Sequence, residues 1–253
     1  MNLNPYEAPQ TVALTDPAQR DPARDWADVR HGAQLNFYGL VIGVAVLFAD
    51  ILATQFATRE AWSRLSWLLS LIGTIAVLMQ IWGNWLIRRA PPESRVKRLV
   101  TGSLCCSILA LFCYWSALGL SYLFDDFSWF LYGYHLNFAA QYLAGVLFFW
   151  SLWRLGRFTH GGRLRELAMA ALVYFVVMNG YDLFELTRVI WSGDDNKIAW
   201  HFAQKQDYLG HPWQLVGKLS GYLLAGFTMR AVARISSFSI PEQHAESPRE
   251  PAV

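Results

Sequence analysis

The sequence predicts an all-α fold: a polytopic membrane helix bundle with six transmembrane helices and both termini cytoplasmic. Three observations predict it. Of 253 residues 54% are hydrophobic and only 16% charged, against about 25% charged in an ordinary soluble domain. The charges fall in short stretches between long apolar runs, each near the roughly 20 residues that a helix needs to cross a bilayer core of about 30 Å. Lysine and arginine alternate in density from one connection to the next, as the positive-inside rule requires of a multi-pass chain.

The six spans are 35–54, 66–87, 101–124, 131–153, 167–190 and 213–233, within a transmembrane domain covering 34–235. With the N-terminus inside, the inner segments carry fifteen of the 21 basic residues, densest in RRAPPESRVKR (88–98) and in Arg154, Arg157, Arg163 and Arg165. The outer connections carry four, Arg59, Arg64, Lys197 and Lys205, and are rich in acid. That ratio fixes the expected orientation. Tryptophans cluster at span ends, among them Trp67, Trp82, Trp85, Trp129, Trp150, Trp153 and Trp191, where indole rings prefer the headgroup level.

Residues 1–33 and 236–253 read as disordered cytoplasmic tails, proline-rich and of mixed charge. The first of these has no basic start followed by an apolar run, so it does not read as a signal peptide. A weak signal for a short interfacial helix lies at IAWHFAQ, 198–204. The even-numbered spans each end in a basic stretch, which topology alone requires, so no repeat is assigned.

Ionisable groups inside spans cost about 2.5–3.5 kcal/mol each at mid-helix, so each needs a reason. Given the orientation, Asp50 of span 1, His135, Asn137 and Gln141 of span 4, Asn179, Asp182 and Glu185 of span 5, and Gln214 and Lys218 of span 6 share the outer leaflet. At 1.5 Å per residue Glu185 and Lys218 sit roughly 8 Å inside their outer ends, and Asp182 about 12 Å. Asn179, Asp182 and Glu185 recur every three residues and cover one broad stripe. Gly217, Gly221 and Ala225 recur every four residues, the small-residue spacing that lets helices approach closely. Spans 5 and 6 are therefore expected as neighbours, with Lys218 pairing with Asp182 or Glu185. Gln80 and Asn84 lie in the inner half of span 2 and stand apart.

Two readings of this polar set compete. Either its members pair off to pin helices together, with Glu185 bonded to Arg188 one turn on, or they form an outward-facing site for a small polar or ionic ligand or a proton relay. The candidate residues are Asp50, His135, Asn137, Gln141, Asn179, Asp182, Glu185 and Lys218. An enzyme finds little support. No HExxH spacing, GxSxG elbow, P-loop or dinucleotide fingerprint occurs, a single in-span histidine does not make a haem site, and neither a metal nor a cofactor is expected. An intramembrane hydrolase using His135 and the carboxylates is the enzymatic alternative. Cys105, Cys106 and Cys113 match no zinc or redox spacing and read as packing residues. A formal charge of +2 with no basic block interleaved with aromatics excludes nucleic acid as a partner. The lipid bilayer is the one partner the spans require.

The opening Asn4-Pro5-Tyr6-Glu7-Ala8-Pro9 and the stretch Trp26-x-x-Val29-Arg30-x-Gly32 before the first span form a recognisable pattern. The chain in this respect resembles a loose group of uncharacterised bacterial multi-pass membrane proteins, which begin with an NPYxxP tag and carry a W-x-x-V-R-x-G lead-in to their first helix. The resemblance covers about the first 40 residues. It implies a bacterial inner-membrane location with this tail in the cytoplasm, and implies no activity. Physically NPYEAP is an extended, turn-forming tether, and Asn4, Pro5, Tyr6 and Pro9 are candidate contacts for a cytoplasmic protein partner. In that case the chain would be a membrane adaptor. Trp26, Arg30 and His31 are expected at the headgroup boundary.

Overall fold

A computed structural model describes residues 22–56, 59–124, 127–193 and 212–235. The described residues form six long α-helices: α1 (Pro22–Phe56), α2 (Arg59–Ile87), α3 (Lys97–Phe124), α4 (Phe127–Phe158), α5 (Gly162–Trp191) and α6 (Pro212–Ala233). A single 3-10 turn, Pro92–Ser94, lies between α2 and α3. Each helix packs against the next in the chain, and α6 returns to pack against α1, so the six close into a ring.

Five helices are long and apolar enough to cross a membrane, which gives the chain the composition of a multi-pass membrane protein. The fit is to lipid rather than to a protein core: no more than a third of the most apolar window of any of the five is buried. Large apolar side chains such as Val41, Leu71, Ile75, Phe112, Val177 and Leu223 stand outward. The sixth helix is 22 residues long. Gln214, Lys218 and Arg230 hold it below the hydropathy that the other five reach.

The main core gathers at one end of the ring. It takes Trp26, Val29 and Ala33 from α1, Ile87 and Ala90 from the end of α2, and Val96 and Val100 from the start of α3. Leu152 and Leu155 of α4, Ala168 of α5 and Met229 and Val232 of α6 complete it. Among the described residues thirteen lysines and arginines lie at or near this end against four carboxylates. It is called the basic end below, and the other the far end. Short connections keep the helix ends together here. In the first of them Arg95 takes a left-handed conformation, φ 53°, and its N–H bonds the Pro92 carbonyl while the Ser94 hydroxyl donates to Pro91 O at 2.6 Å.

One expectation changes. Residues 22–33, expected in the tail, are the opening turns of α1. Trp26, Val29 and Ala33 recur at helical spacing and are 3%, 0% and 0% exposed, so burying this face favours helix over disorder. Trp26 stacks on Phe158 at 6.4 Å. The tryptophan-to-glycine lead-in is thus a packing motif. Trp67, Trp82, Trp129 and Trp191 do stand exposed at helix ends. The NPYEAP segment, the C-terminal tail and 198–204 lie outside the described residues.

Candidate functional site

The α1–α6 and α5–α6 seams set the register of the far end. Gly43 of α1 lies against the ring of Tyr222, and Gly226 against Phe37. On the other side of α6, the Tyr174 hydroxyl of α5 donates to the carbonyl of Gly217, and a side chain at Gly221 would meet the same ring at 3.0 Å. The small-residue spacing of α6 therefore serves to admit Tyr174 and Met178 of α5, which makes these helices neighbours as the sequence suggests.

From this register Asp50 rises about 10 Å above Gly43, and Lys218 about 6 Å above Tyr222. Helical side chains lean toward their own N-terminus. For α6 that is the far end; for α1 and α5 it is the basic end. The ammonium of Lys218 thus reaches up while the carboxylates of Asp50 and Asp182 reach down. Lys218 comes under the attraction of both, that of Asp182 being the larger. Both aspartates are half-buried and Lys218 is exposed in the isolated chain. Three helices, α1, α5 and α6, contribute one charge each.

The other candidate residues are engaged elsewhere. Glu185 takes Arg188 at 2.9 Å, one turn along α5, and not Lys218. His135 of α4 bonds the Thr187 hydroxyl of α5 at 2.9 Å, and Thr187 also donates to Leu183 O. Buried Asn137 accepts from Gln141 along α4 at 3.0 Å. Asn179 donates to Phe175 O within its own helix. The eight residues therefore do not form one cluster. Asp50, Asp182 and Lys218 form a charged group across the α1, α5 and α6 seams, whereas His135, Asn137 and Gln141 belong to α4 and its contact with α5. The division follows from the ring, in which α4 packs chiefly on α3 and α5, and α6 on α5 and α1. Among the described residues no three His, Cys, Asp or Glu side chains come together as a metal site.

Sequence reasoning missed two polar partners. Thr187 is hidden beside Glu185 and Arg188, and only its spatial match to His135 singles it out. Asn36 of α1 donates to Asn84 of α2 at 3.2 Å and to Gly32 O at 3.0 Å, and both asparagines are buried. Gly32, Asn36 and Gly39 at helical spacing carry the signal that could have found this seam. Comparison of the chain with protein-family models, with curated proteins and with solved structures gives no match, so the chemistry of the site is read from its own residues.

Proposed function

We propose that this chain is a six-span protein of a bacterial cytoplasmic membrane with both termini inside, and that it is non-enzymatic. Its site is the group Asp50, Asp182 and Lys218 in the outer leaflet, which takes a small ionic ligand. The observation that carries the reading is a lysine attracted by carboxylates from two other helices. A pairing that served only to pin helices needs one carboxylate. Here two carboxylates attract one ammonium, and a charged group drawn from three helices suits a proton, a monovalent cation or a small amine. Glu185 stands apart from it, because Arg188 pairs with it. The concentration of core residues at the basic end supports a far end that is less tightly sealed.

Orientation rests on the thirteen cations at the basic end. A periplasmically active reporter fused after Gly193 is expected to give signal, and the same reporter after Pro92 none. Signal at Pro92 would invert the assignment.

The ligand reading is tested on purified full-length protein by thermal unfolding with sodium, potassium and small alkylammonium ions. One of them should give a saturable stabilisation, reaching about 2.7 kcal/mol at a hundredfold excess over Kd. Asp50→Asn and Asp182→Asn should keep the helical spectrum and lose that gain. A wild type indifferent to all of these ions, or variants that respond as it does, would show the triad to be structural.

A further inference from the structure

Three tryptophans near the basic end are each followed four residues later by an arginine: Trp85 and Arg89, Trp150 and Arg154, Trp153 and Arg157. In every pair the guanidinium carbon lies over the indole ring, at 4.2, 5.9 and 5.1 Å from its centre. The spacing causes the contact, because a residue four places on leans back over the preceding turn. Arg89 is already neutralised by Asp28 at 2.7 Å. The two pairs of α4 form no ion pair with a carboxylate among the described residues.

The surface leading to these pairs is apolar. Trp129, Leu136, Leu143 and Trp150 recur every seven residues along α4, and all are between 42% and 57% exposed. They make one continuous stripe that runs down the length of the helix and ends at Arg154 and Arg157. A stripe long enough for an acyl chain thus terminates in indole rings and two guanidiniums. Indole prefers the headgroup level, and the planar fork of arginine matches a phosphate with two parallel hydrogen bonds. The surrounding end adds an excess of nine positive charges over its carboxylates.

We propose that Trp150, Trp153, Arg154 and Arg157 form a binding site for the headgroup of an anionic phospholipid whose acyl chain lies along the α4 stripe. Continuity with the exposed apolar stripe distinguishes this occupant from a soluble anion, which would gain nothing from Leu136 and Leu143. Recognition then has two parts, a phosphate read by the arginines and a hydrocarbon tail read by the helix.

The test offers full-length detergent-solubilised protein equal amounts of phosphatidylglycerol and phosphatidylcholine and measures retained lipid by native mass spectrometry. Wild type should retain the anionic lipid preferentially, and Arg154→Gln/Arg157→Gln should weaken that retention roughly 10- to 30-fold, the loss expected from two cations at a lipid surface. Arg230→Gln/Arg234→Gln, which removes two charges from the same end, should weaken it less than about threefold, since those residues lie on α6 and just beyond its end. Should the glutamine pair fail to fold, Arg154→Lys/Arg157→Lys keeps the charge, loses the fork and should still weaken retention several-fold. Equal retention of the two lipids by wild type overturns the proposal. So does equal loss in the α6 control, or competition by soluble glycerol phosphate as effective as the lipid.

Discussion

Gly83→Leu is expected to abolish the accumulation of folded protein. A Cβ at Gly83 would lie 2.5 Å from Asn36 Nδ2 and 2.6 Å from the Gly32 carbonyl oxygen. A Cβ at Gly32 would in turn lie 2.5 Å from the Gly83 carbonyl oxygen. The obstacle is backbone on both sides, so no rotamer change relieves it and α1 and α2 must separate. Separation also breaks the Asn36–Asn84 bond, and in lipid no water replaces it. Adding even one methyl in a tight contact costs about 1–3 kcal/mol, so Gly83→Ala should already lower the thermal midpoint clearly. Leucine adds three further carbons, and the total stability of a domain is only about 5–15 kcal/mol. Gly73 of the same helix has nothing within 4 Å of an added Cβ, and Gly73→Leu serves as the control. Size-exclusion profiles and thermal midpoints in detergent measure both; a Gly83→Leu protein as stable as Gly73→Leu would refute the close crossing.

The fold was largely legible because a bilayer imposes a simple code. Apolar length marks a helix, and basic connections mark one side, so helix number and their alternation follow without tertiary information. The start of α1 was less legible. Trp26 looks like an interfacial residue when read against a bilayer, and its burial shows only once Phe158 is placed beside it. Hydropathy cannot see that neighbour. The site shows the same limit. Asp50, Asp182 and Lys218 were each visible as charges in apolar runs, and the orientation put them in one leaflet. Leaflet depth is a single coordinate, however, and it cannot separate residues on opposite sides of a ring. His135 and Lys218 are expected at one depth and yet belong to different seams, because α4 packs chiefly on α3 and α5, and α6 on α5 and α1. Glu185 and Asp182 are three residues apart, and the i,i+3 geometry to Arg188 decides which of the two remains for Lys218.

Lys218→Met should be the most costly change at the far end. It removes an ammonium to which both Asp50 and Asp182 are attracted. An ionisable group within a membrane span costs about 2.5–3.5 kcal/mol, and that attraction offsets part of the cost. Both aspartates are half-buried rather than sealed, which sets the expected loss near about 2.5 kcal/mol at neutral pH. The aspartate changes should be milder, since each leaves Lys218 with one partner. Lys218→Met/Asp182→Asn should then recover part of the loss, so the cycle is non-additive in the direction of coupling. Glu185→Gln is the matched control. Its partner Arg188 is 68% exposed, and a pair of that kind contributes only about 0.2–1 kcal/mol. Reversible unfolding of the purified variants measures all five. If Lys218→Met costs no more than Glu185→Gln, the three charges act independently. A large loss that Asp182→Asn relieves instead ties α1, α5 and α6 together through the same ammonium that the ligand's charge must share.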